Sequence, residues 1–125
     1  MKSINFRKNF REYAVNGDES KVIRIKLSPD MPDKIKNALS EIDKFRDEIN
    51  ENNIAEAGVK FNEIINNAFG TDICTPAFDG ENPFSFVEDG KFLFEAFFDA
   101  FMPIFQEDLK SLKIRPEVKK YIKNS

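Results

Sequence analysis

The sequence predicts an α+β, mainly helical single domain, in which an N-terminal β-hairpin or pair of short strands precedes a small bundle of three helices. Three observations carry this. Apolar residues recur at every second position up to Leu27 and at every third or fourth from Ile35 onward, with the change of period at Ser28-Pro29. Asn16-Gly17, a pair that tolerates positive φ, stands between two extended runs. The stretch KFLFEAFFDAFMPIF, residues 91–105, holds six of the chain's fourteen phenylalanines and only three charged side chains. A helix that apolar must be buried on most of its sides. The expected division is strands over 1–28, a helical body over 29–109 and a basic tail over 110–125.

In the hairpin, the second arm is the clearer strand. Ile23, Ile25 and Leu27 fall on one face, and Val22, Arg24 and Lys26 on the other. The first arm alternates less regularly: Ile4 and Phe6 are in phase, while Phe10 and Tyr13 break it. A lone hairpin is marginal in water, so it must lie on helices or on a partner's edge.

SPDMPDK stops the strand and opens the first helix, with Asp30 a candidate N-cap and Pro32 suited to the first turn. Ile35, Ala38, Leu39, Ile42, Phe45 and Ile49 then recur at helical spacing, within 31–50. After NENN a second helix follows within 53–69, with Ile54, Ala57, Phe61, Ile64, Ile65 and Ala68 on one face and Gly70 at its end. The short connection predicts that the two pack as a helical hairpin. Residues 71–89 are punctuated by Gly, Pro and Asx every few positions. They also contain Ile73, Phe78, Phe84 and Phe86, which should plug the helical body. The third helix falls within about 90–109, and Pro103 should kink it or end it a turn early.

Within that helix Leu93, Phe97, Ala100 and Ile104 form one face, and Phe94, Phe98, Phe101 and Phe105 form the next. The expectation is that the first face packs on Ile42, Phe45, Phe61 and Ile65. The second then exceeds what two amphipathic helices cover, so Phe94, Phe98, Phe101 and Phe105 are the expected protein-interaction residues. They would be closed by the 71–89 loop or a second subunit and opened to a client; the competing reading is a fully enclosed monomer core.

The net charge of −3 conceals a segregation. Residues 1–27 carry seven basic groups against three acids, residues 110–125 carry six against one, and the segment between is strongly acidic. Basic ends are one mark of nucleic-acid binding, and a nucleic-acid-associated accessory protein is the alternative functional reading. These ends lack the aromatic platforms and groove-reading helix motifs that would support it. The favoured reading is contact with the acidic body or with neighbouring subunits.

Catalysis has little to work with. There is no histidine to trade protons near neutral pH. Cys74, the lone cysteine, has no imidazole to activate it and cannot form an intramolecular disulfide. DGENPFSFVED lacks the ligand spacing of a calcium loop, and no GxxxxGK[ST] or GxGxxG motif occurs. The expectation is a protein without catalytic residues, metal or cofactor. The amino-terminal residues lack the continuous apolar run of a secretory signal, no stretch approaches a membrane span, and a reducing cytoplasm suits the lone thiol.

A hairpin-like start, the strand-to-helix junction VIRIKLSPDMPDKIKNALSEI with its D-x-x-x-x-x-K spacing, the Phe69-Gly70 step ending a mid-chain helix, and the apolar helix from Phe92 to Leu109 form a recognisable order. Over roughly residues 20–110 the chain resembles the small tail assembly chaperones of long-tailed phages and prophages of Gram-positive bacteria. The phenylalanine excess of the last helix and the longer basic ends depart from that pattern. The resemblance implies a non-enzymatic protein of the bacterial host's cytoplasm, a homo-oligomer that binds the tape-measure protein, keeps it in solution and delivers it to tail-tube subunits. It also implies a longer form made by ribosomal frameshifting.

Overall fold

The alternation in the first 27 residues produces a two-stranded antiparallel sheet. The computed structural model describes residues 1–6 and 9–110; in it β1 spans Phe10–Val15 and β2 spans Asp18–Lys26. Asn16 at φ 53° and Gly17 at φ 73° both occupy the left-handed region, so the turn closes in two residues. Phe10 faces Lys26 and Tyr13 faces Ile23, with a register shift between Ala14 and Val15 at the turn end. Ile23, Ile25 and Leu27 are buried, while Val22, Arg24 and Lys26 are exposed, as the alternation requires. The strand starts later than the sequence suggested. Residues 1–6 have no regular structure, and Ile4 and Phe6 are exposed.

α1 spans Met31–Arg46 with Pro32 in its first turn. Asp30 occupies the cap position without capping the backbone. Its carboxylate instead accepts from Ser28 Oγ at 2.5 Å and pairs with Lys34 at 2.9 Å. α2 spans Ile54–Phe69, and Gly70 at φ 71° turns the chain out of it. α1 and α2 pack along each other. Their Ile35, Ala38, Ile42, Phe61, Ile65 and Phe69 join Ile23 and Ile25 of the hairpin in one core. No charged side chain among the described residues lies within it.

The 71–89 segment contains an unexpected element, a five-residue helix α3 over Cys74–Phe78. Local side chains nucleate it. Asp72 accepts from the Thr75 N–H at 3.0 Å and the Thr75 hydroxyl at 2.5 Å, while Asn66 of α2 accepts from the N–H groups of Ile73 and Cys74 at 2.9 and 3.2 Å. Lys21 of β2 pairs with Asp79 and ties the hairpin to the end of α3. Ile73, Phe78 and Phe84 plug the core as expected, but Phe86 does not: it is 74% exposed and stacks on Phe92 with ring centroids 5.2 Å apart.

α4 spans Leu93–Leu109. Glu95 accepts from the Phe92 N–H at 3.1 Å and pairs with Arg46 of α1 at 3.3 Å, anchoring the first turn. The helix runs through Pro103 instead of ending before it. Proline removes the bond to the Asp99 carbonyl, and both residues lie on the exposed side, where water can serve that carbonyl. The expected basic tail lies, after Lys110, outside the described residues. No helix among the described residues is long and apolar enough to cross a membrane.

Candidate functional site

A helix with two adjacent apolar faces must choose which one to bury most deeply, and α4 buries the face of Phe94, Phe98, Phe101 and Phe105. Phe94, Phe98, Phe101 and Phe105 are all in the core, Phe105 at 0% exposure. Phe94 packs on Phe61 at 5.0 Å between ring centroids, and Phe105 on Phe69 at 5.4 Å. Phe98 stacks on Phe69 at 6.4 Å, and Phe101 meets Tyr13 edge-on at 5.1 Å. These four pack within the subunit, and the 71–89 segment helps to close them, with Phe84 at 5.4 Å from Phe94. The physical reason is bulk. Four phenylalanines remove more apolar area from water than a face that includes Ala100, so the hairpin and α2 close over the larger surface.

The displaced face becomes the candidate site. Leu93, Phe97, Ala100 and Ile104 do not pack as the core face. They line an apolar groove of about 410 Å³ between α4 and the turn end of the hairpin. Tyr13, Val15 and Ile23 form its sheet wall, and Ala77 of α3 closes one end. Ile104 is 57% exposed at its rim. Phe97 lies half-buried along it, held edge-on by Phe78 at 5.6 Å and stacked on Phe101 at 5.1 Å. The contributions of the hairpin and Ala77 were missed in the sequence because they come from residues 16 to 91 positions distant along the chain. The signal that could have found the open face was the small Ala100 in its middle.

The groove wall is held by a polar clasp. Tyr13 donates its hydroxyl to Asp108 at 2.5 Å, and Arg11 lies 3.8 Å from the same carboxylate. Burial, the hydrogen bond to Asp108 and the negative charge of Asp108 push the phenol well above the ordinary tyrosine range, so it is held neutral. A second concavity, of about 500 Å³, lies between the hairpin and the end of α2 and is edged by Arg24, Lys26 and Lys34. Two of those cations are engaged. Arg24 lies over the Phe10 ring at 4.0 Å, and Lys34 pairs with Asp30.

Cys74 is buried, and burial followed by the neighbouring charge of Asp72 pushes its thiol up to about 12. It is a packing residue, protonated across the physiological range. Among the described residues no three His, Cys, Asp or Glu side chains come together as a metal site. Compared with known proteins, the chain matches no family model, no curated protein and no solved structure.

Proposed function

We propose that this chain is a non-enzymatic phage or prophage tail assembly chaperone that holds an apolar segment of a tape-measure protein and passes it to tail-tube subunits in the host cytoplasm. The observation that carries the reading is the groove of Leu93, Phe97, Ala100 and Ile104 against the hairpin. Apolar concavities between a helix and a sheet end suit an amphipathic helix or extended strand, whose alternate side chains fill it. The resemblance in the strand-to-helix junction, the Phe69-Gly70 step and the last helix supplies the class of client. The client contact moves from Phe94, Phe98, Phe101 and Phe105 to the adjacent face.

The test is co-expression with a tape-measure protein encoded beside this chain, reading how much of that protein stays in the supernatant. The wild type should raise the soluble fraction several-fold, and Ile104→Glu or Ala100→Glu should abolish the rise while circular dichroism and thermal unfolding stay near wild type. A tape-measure protein equally soluble with and without the chain, or rescued equally well by the two variants, would overturn the reading.

A further inference from the structure

Among the described residues β1 has one strand partner, β2, and its other edge joins no sheet. Leu27 donates to the Asn9 carbonyl at 2.8 Å, in register with the β1–β2 pairing. In an antiparallel ladder that makes residues 9, 11 and 13 the ones whose backbone groups face β2, so Phe10, Glu12 and Ala14 turn theirs to the outer edge. The Phe10 carbonyl accepts from the Arg11 guanidinium at 3.0 Å. Among the described residues no strand pairs with that edge. Directly upstream is an arm with two large apolar side chains in water: Ile4 is 87% and Phe6 74% exposed. At the opposite end of β1, beside Val15 and Asn16, the apolar groove opens.

We infer that two copies of this chain pair through their β1 edges about a two-fold axis, and that the arm of each closes the groove of the other. The geometry follows from antiparallel pairing alone. Such pairing lays the N-terminal end of one β1 beside the turn end of the other, which carries each arm toward the partner's Val15 and Asn16. Both hairpins keep the same face on their helices, so four strands form one sheet and Glu12 and Ala14 gain backbone partners. Ile4 and Phe6 supply apolar area to a groove that is otherwise open. Charge favours this occupant as well. Residues 1–8 carry Lys2, Arg7 and Lys8 and no acid, while the far side of the hairpin turn presents exposed Asp18 and Glu19. The contact is isologous, so it closes at two copies. A client segment entering the groove would displace the arm.

The experiment is sedimentation velocity of the full chain over a wide concentration range, on the wild type, the double variant Ile4→Asp/Phe6→Asp, and Glu12→Pro. The wild type should be a dimer. The arm variant should weaken dimerisation at least tenfold with an unchanged melting transition of the monomer, because both side chains stand in solvent. In Glu12→Pro the lost N–H faces the free edge, so the β1–β2 ladder keeps its bonds while strand addition is blocked. It should also be monomeric. A strictly monomeric wild type, or a dimer whose affinity either variant leaves unchanged, overturns the inference. The client reading is separable: a dimer that rescues no client removes only that reading, and client rescue by a strict monomer removes only this one.

Discussion

Tyr13 and Asp108 are 95 positions apart in sequence, and the tyrosine hydroxyl reaches the Asp108 carboxylate at 2.5 Å, clasping β1 to the last turn of α4. Tyr13→Phe keeps the ring on Phe101 and removes only this bond. It should cost about 1–2 kcal/mol, as hydrogen bonds to a partly solvated charged acceptor do. The alkaline side of the stability curve should also change. A phenol raised in the folded state stabilises fully below the ordinary tyrosine range of about 10, and that contribution is lost as pH rises above it. Urea unfolding of both proteins from pH 8 to 11 should show a steeper decline for the wild type than for Tyr13→Phe.

Cys74 predicts a second alkaline loss, with an earlier onset. Its thiol rises from 9.0 to about 12 on folding, so its contribution is complete below pH 9 and falls as pH climbs toward 12. Cys74→Ala should flatten the stability curve between those limits. At pH 8 a thiol reagent should modify native protein slowly and urea-unfolded protein at once. Rapid modification of native protein would show an accessible thiolate and refute the assignment.

Gly58 is required inside α2 for a steric reason. A Cβ there would lie 2.6 Å from Asn82 Nδ2. That amide cannot swing away freely, since Nδ2 donates to the Ile54 carbonyl and Oδ1 accepts from the Phe84 N–H, both at 2.9 Å. Gly58→Ala should therefore destabilise by about 1–3 kcal/mol through lost hydrogen bonds, despite alanine's better helix propensity of roughly 1 kcal/mol. In an Asn82→Ala background the same substitution should become neutral or stabilising. A double-mutant cycle by chemical denaturation reads the sign change.

The two faces of α4 should respond oppositely to truncation. Phe105→Ala removes a fully buried ring and should cost about 3–5 kcal/mol. Ile104→Ala, its neighbour on the open face, should stay within about 0.5 kcal/mol of wild type. Urea midpoints at constant slope give both values. Equal losses at the two positions would mean that the groove is part of the core.

Much of the fold was legible because each element carries its own period. Ile23, Ile25 and Leu27 announce a strand, Ile35 to Phe45 and Ala57 to Ala68 announce helices, and Asn16-Gly17 and Gly70 punctuate them where positive φ is needed. These are short-range properties of backbone sterics and side-chain spacing, and they survive without knowledge of neighbours. α3 was not legible. Its start depends on Asn66 reaching forward to the N–H groups of Ile73 and Cys74, a contact that exists only once α2 has formed.

The choice of buried face on α4 shows where local information ends. Phe94, Phe98, Phe101 and Phe105 share one spacing, and Leu93, Phe97, Ala100 and Ile104 repeat it one residue earlier, about 100° around the helix. Periodicity is identical for the two sets, so it specifies an apolar helix without saying which side meets the core. That decision came from the shape of the remaining core. Phe61 and Phe69 on α2 and Tyr13 on β1 make a surface that four rings fill, leaving the face interrupted by Ala100 toward solvent. By itself the sequence determined that α4 is apolar around most of its circumference. Only the packing of distant segments decided which part of that surface remains as a groove.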